Sequence, residues 1–177
     1  MLNLLLLRHA KTDKLAAGRK DINRPLTGRG KRDATAMGRY MASNDLMPDL
    51  VLCSPALRTR NTWDLVASEW KRPPRVVFER GIYDAHGGKD LWKVLCEGAG
   101  NAKSLLVVGH NPSMEALALL LAQKGEKKGR SRLETKFPTA ALAVIGLDAK
   151  NWTAVDEAAG KLVRFVRPED IGAGPGA

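Results

Sequence analysis

Cysteine, histidine and aromatic residues are scarce in this chain, and it has no long apolar run; each shortage narrows the field. The two cysteines, Cys53 and Cys96, stand in no C-x-x-C pair and no metal-ligand spacing, so neither a thiolate zinc site nor a disulfide framework is read from them. A cytoplasmic, reducing compartment fits. Aromatic residues make up 5% of the chain, too few for a platform that stacks single-stranded bases. No zinc finger or other nucleic-acid motif is present. No stretch approaches the roughly 20 apolar residues of a membrane helix, and residues 1–7 lack the basic leader and the length of a signal peptide. No internal repeat occurs.

What is present is a chain of 177 residues, the length of one domain, able to remove roughly 70% of its unfolded surface from water. Its formal charge of +10 is unevenly spread. Residues 1–40 hold ten Lys or Arg against three Asp, and the segment 124–136, "KGEKKGRSRLETK", holds six basic residues against two acidic. Such clusters call for an anionic partner: phosphate groups, an acidic protein surface or nucleic acid. The expected organisation is a single domain over 1–167 and a flexible tail, "PEDIGAGPGA", over 168–177.

Apolar runs alternate with helical patterns. Strands are expected at 2–7, 49–53, 75–78, 104–108, 141–147 and 161–166. Several of these runs lack polar alternation and so read as strands covered on both faces. Cys53 ends one of them and reads as a small buried hydrophobe. Helices are expected near 28–43, 55–70, 88–96 and 112–123, with Ser54–Pro55 and Asn111–Pro112 as cap and first helical residue. Residues 12–27 and 124–137 read as polar, basic loops. The alternation predicts an α/β fold with a mainly parallel central sheet.

In such sheets ligands bind at the carboxyl ends of the strands. The stretch "LLLLRHAKT" ends its strand on Arg8 and His9. "SLLVVGHNPSME" ends another on His110, and Arg58 lies in the first turn of the helix after Ser54. Two arginines and two of the chain's three histidines therefore gather at one sheet edge, near two helix N-termini. Without a placed carboxylate or thiolate, this set makes a poor metal site and a good anion site. Arg60 is an equal candidate by residue type, but it points about 200° further round the helix.

The ordered set "LLRHAKT", "DINRPLTGRGKRDA", "PDLVLCSPALRTRNTW", "LLVVGHNPSME" and "KFPTAALAVI" resembles the histidine phosphatase superfamily, phosphoglycerate mutase-like, and within it the SixA-like phosphohistidine phosphatase branch. The resemblance spans about residues 2–147. It implies a three-layer α/β/α sandwich, a covalent phosphohistidine intermediate and no metal or other cofactor. It maps the nucleophile onto His9 and the phosphate pocket onto Arg8, Arg58 and His110. Thr12, Arg24 and Asn111 fall on the substrate side. Relatives place an acidic residue after the third strand, where Glu79 comes first and Asp84 or His86 are the alternatives.

The chemistry agrees with the resemblance. His9 must be neutral to attack, surrounding cations favour that state, and a hydrogen bond from its other ring nitrogen to a carbonyl would fix the tautomer. The arginines can clamp phosphoryl oxygens, and a protonated His110 would add a donor. The expected activity is metal-independent phosphatase action on a phosphorylated protein. The alternatives are a small phosphorylated substrate, mutase-type phosphotransfer, or anion or nucleic-acid binding without catalysis. The short connections of this chain argue against a mutase, which needs insertions that enclose its substrate.

Overall fold

A computed structural model of the protein describes residues 1–14, 17–18, 20–155 and 160–174. Its strands are β1 (Leu2–Arg8), β2 (Leu50–Cys53), β3 (Arg75–Phe78), β4 (Ser104–Gly109), β5 (Lys124–Gly125), β6 (Leu142–Leu147) and β7 (Lys161–Val166). They form one sheet in the order β3-β2-β4-β1-β6-β7-β5. The pairings β1/β4, β2/β4, β2/β3 and β5/β7 are parallel, while β6 runs antiparallel to β1 and β7 antiparallel to β6. All six expected strands are present, and the two-residue β5 is an addition.

The four leucines before Arg8 follow from the position of β1 in the middle of the sheet. Successive side chains of a strand point to opposite faces. Leu4 and Leu6 join a cluster with Leu91, Leu95 and Leu117, and Leu5 and Leu7 join another with Met37, Met41, Trp63 and Val66. The first cluster draws on helices α4 (Gly88–Gly98) and α5 (Ser113–Leu121), and the second on α1 (Gly28–Ser43) and α2 (Leu57–Ala67). Helices thus cover both faces of the sheet, giving the expected three layers. Each fully buried leucine contributes roughly 1.5–3 kcal/mol. Glycine permits the helix pairs to close: a Cβ at Gly38 would lie 2.8 Å from the Val66 backbone, and one at Gly88 would lie 2.7 Å from Leu117 N.

The loops depart from expectation. Segment 124–137 contains β5 and a further helix, α6 (Lys127–Thr135), and α3 (Arg80–Asp84) follows β3. Segment 12–27 is partly structured by a bridge between Thr12 and Leu26 and a 3-10 turn at Asp21–Asn23; residues 15, 16 and 19 lie outside the described residues. The chain after 167, expected as a flexible end, is tied down as far as Gly174. Pro168–Ile171 form a 3-10 turn, and Gly174 N donates to Oδ1 of the buried Asp33 at 3.0 Å. A buried carboxylate needs such a partner, which is what fixes this part of the tail. Residues 175–177 lie outside the described residues. Among those described, no helix is long and apolar enough to cross a membrane.

Candidate active site

Because β1, β2 and β4 run parallel, their carboxyl ends open on one edge of the sheet. Arg8 ends β1 and His9 follows it; His110 follows β4; α2, leaving β2, brings in Arg58. These four residues line one cavity of about 360 Å³, and Thr12, Arg24 and Asn111 line it with them. All seven were expected at the site. Arg60, two residues after Arg58, is exposed and stacks over the Phe78 ring at 5.1 Å.

His9 is 8% exposed. Its Nδ1 lies 2.8 Å from Ala10 O, and a carbonyl only accepts, so Nδ1 carries the proton and Nε2 keeps its lone pair. Burial is the main cause that holds the imidazole down at a pKa of about 3; the Ala10 hydrogen bond opposes it, and the charges of Arg58, Arg8 and Arg24 add to it. The ring is neutral at pH 7, the state a nucleophile needs. Its backbone is fixed from both sides: His9 N donates to Gly109 O, and Ala140 N reaches both Arg8 O and His9 O at 3.1 Å. To do so Ala140 adopts a left-handed φ of 58°, which costs a non-glycine residue roughly 1–2 kcal/mol.

Arg58 is 6% exposed, and its guanidinium is held on three sides. Nε donates to His110 Nδ1 at 3.2 Å, Nη1 to Asp21 O at 2.8 Å and Nη2 to Asp21 Oδ2 at 2.9 Å. Asp21 also accepts from Arg24 Nη1 at 3.1 Å and from Tyr83 OH at 3.2 Å. Its partial burial pushes the carboxyl pKa up, but the Arg24 hydrogen bond, the Arg58 charge and hydrogen bond, and the Tyr83 hydroxyl outweigh that and hold it below its ordinary value. Arg24 in turn donates to Thr12 Oγ1 at 2.5 Å. One carboxylate therefore braces both arginines. Sequence reading missed Asp21 and Tyr83.

His110 sits between Arg58 and Ser54. Arg58 Nε can only donate, so His110 Nδ1 accepts, and the ring proton sits on Nε2, which donates to Ser54 Oγ at 2.7 Å. Burial above all, then the Arg58 and His9 charges, hold its pKa at about 3. The ring is therefore neutral at pH 7, and its Nδ1 lone pair orients Arg58. Ser54 is correspondingly no helix cap. Ala56 occupies that position in α2, and Ser54 is engaged by His110. Likewise Pro112, not Asn111, caps α5. Asn111 Nδ2 instead donates to Glu115 Oε2 at 3.0 Å and Phe137 O at 3.2 Å.

Arg8 donates through Nη1 to Phe137 O at 2.7 Å, while its Nε is buried with no hydrogen-bond partner among the described residues. A buried donor left unmet costs about 1–3 kcal/mol. The expected acids are not brought to this cavity. Glu79 caps α3, accepting from Gly81 N at 2.9 Å. Asp84 pairs with Arg80 on the surface at 2.9 Å, and His86 is exposed. Asp13 is the carboxylate residue among those that line the cavity. Among the described residues no group of three or more His, Cys, Asp or Glu could hold a metal ion.

The three-layer α/β fold thus gathers two arginines and a neutral, tautomer-fixed histidine at one edge of its sheet. The family model of the histidine phosphatase superfamily (branch 1) matches residues 4–90, and the chain belongs to that superfamily. An uncharacterised protein of Mycobacterium tuberculosis is 35% identical over 164 residues, 92% of this chain and 99% of the relative. The crystal structure of a protein assigned as the phosphohistidine phosphatase SixA of Agrobacterium tumefaciens is 29% identical, with a TM-score of 0.77, over 94% of this chain and 98% of that one. A protein similarly assigned in Nakamurella multipartitia is 26% identical, with a TM-score of 0.80, over 94% and 96% of the two chains. The superfamily and these neighbours support phosphatase activity.

Proposed function

We propose that this phosphatase hydrolyses phosphorylated protein, phosphohistidine foremost, through a covalent phosphohistidine on His9 and without a metal ion. The observation that carries the reading is the neutral His9, its Nδ1 hydrogen held by Ala10 O, in one cavity with Arg8 and Arg58. The His9 Nε2 lone pair attacks phosphorus while the bond from phosphorus to the leaving group breaks. Arg8 and Arg58 hold the phosphoryl oxygens, and the braced guanidiniums need little reorganisation as charge develops. Water then attacks phosphorus, the bond to His9 Nε2 breaks, and inorganic phosphate leaves. An imidazole leaving group has less need of a strong acid than an alkoxide has, which suits a cavity to which Glu79, Asp84 and His86 are not brought. Thr12 and Arg24 contact the substrate, and Asn111 supports that wall through Phe137.

The test is hydrolysis of phosphohistidine peptides, phosphoserine peptides and sugar phosphates, each with and without EDTA. The proposal expects the highest kcat/KM with phosphohistidine peptides and a rate that EDTA leaves nearly unchanged. Faster turnover of sugar phosphates would identify a small-molecule phosphatase, and a loss restored by zinc or magnesium would overturn the mechanism.

A further inference from the structure

We infer that a second, basic cavity beside the catalytic one binds acidic side chains that flank the phosphorylated residue of a protein substrate. This inference rests on the phosphoprotein reading. The second cavity measures about 350 Å³, close to the size of the first, and Thr139 lines both. The segment 136–139 that carries Thr139 walls the second cavity. Phe137 anchors that wall: its side chain is buried, its carbonyl accepts from Arg8 and Asn111, and its N–H donates to Glu115 Oε1 at 3.1 Å. Lys136, Pro138 and Thr139 line the second cavity. A polypeptide whose phosphoryl group sits at His9 thus has the second cavity next to its flanking residues.

The charge of the lining selects the occupant. Arg29, Arg132, Lys136 and Arg167 contribute four cations against the single carboxylate of Glu169. Arg132 and Arg167 share Asp170, and Arg167 also pairs with Glu169, so these two are held in place and partly neutralised. Arg29 is paired with the buried Asp33, and Lys136 is the lining cation with no ion pair to a described residue. The ion pairs of α6 are made by Arg130 and Arg132, and the exposed Lys136 forms none with a described residue. Arg29 Nε lies 3.4 Å from Asp33 Oδ2, yet both atoms are buried without a hydrogen-bond partner among the described residues. A carboxylate from outside complements Lys136 and the net positive lining around it, and Pro138 and Pro168 add apolar wall for the peptide that carries it. A small phosphate ester, held in the first cavity, would leave the second untouched.

The experiment uses the full chain and three phosphohistidine peptides that differ only in flanks of aspartate, alanine or lysine. Wild type should prefer the aspartate peptide over the lysine peptide by about fivefold or more in kcat/KM, the scale of one or two exposed ion pairs, and less so at high salt. Lys136→Glu should reverse the order toward the lysine peptide, a gain that a misfolded variant cannot produce. Arg132→Glu should shift the order in the same direction. Equal kcat/KM for three peptides that are all hydrolysed would refute the subsite and leave the phosphoprotein reading standing. An aspartate preference that survives Lys136→Glu and Arg132→Glu would also refute it. Turnover of a small phosphomonoester but of none of the peptides would overturn the phosphoprotein reading, and the subsite with it.

Discussion

Asp21 offers a test of how Arg58 is made ready. Asp21→Ala removes the acceptor 2.9 Å from Arg58 Nη2, the one 3.1 Å from Arg24 Nη1 and the one 3.2 Å from Tyr83 OH. Arg58 keeps only the Asp21 carbonyl and His110. The Asp21 side chain is 42% exposed, so solvent screens these pairs and their loss should cost no more than about 1 kcal/mol of stability. For a chain of this size that lowers Tm by roughly 2–4 °C. Catalysis should suffer more, because a charge clamp displaced by about 1 Å can cost about 10²-fold. We expect kcat for p-nitrophenyl phosphate to fall about 30- to 100-fold, with Asp21→Asn between alanine and wild type. Steady-state kinetics and thermal melting measure the two effects separately. A variant within twofold of wild type, while Arg58→Ala is crippled, would show that Arg58 needs no brace. A loss of rate that merely tracks a large fall in Tm would show that Asp21 serves the fold alone.

Two further outcomes follow from the same geometry. Arg58→Ala should lower kcat by about 10²- to 10³-fold, as loss of a transition-state donor does, whereas Arg60→Ala, which removes only a stack on exposed Phe78, should stay within about twofold; equal losses would contradict the assignment. His9 and His110, both held near pKa 3 against an ordinary 6.5, should show no NMR titration between pH 8 and 5. Below about 6.5 the unfolded imidazoles take up protons that the folded ones refuse, so these two sites make Tm fall as pH drops from 6.5 toward 3 and contribute their full stability above 6.5; titration of either ring near 6.5 would contradict their burial as neutral groups.

The elements that were legible in the sequence are those whose pattern is dictated by burial. β1 reads as a leucine run because helices cover it on both faces, and α1 shows Ala34, Met37 and Met41 at helical spacing because one side of it is buried. α6 did not read as a helix because it buries only Leu133; its other residues carry no periodic signal. α3 is five residues long, too short to show a period. The pair Ser54–Pro55 has the residue types of a cap, but Ser54 is engaged by His110, 56 positions away. Asp21 meets Arg58 and Tyr83 at separations of 37 and 62 residues, which no local pattern encodes. Arg8, His9 and His110 could be placed from strand ends, and Thr12, Arg24 and Asn111 from the family resemblance; Asp21 and Tyr83, known by their tertiary hydrogen bonds alone, could not.

The covalent role of His9 is tested most directly by trapping. The protein is mixed briefly with a labelled phosphodonor, quenched in alkali and digested. The account predicts acid-labile label on the peptide that holds His9, and none in His9→Ala. In His110→Ala the label should form more slowly and stay on that same peptide, since His110 orients Arg58 and does not attack. Label on the peptide holding His110 would reverse the two roles, and acid-stable label on a serine would contradict the mechanism.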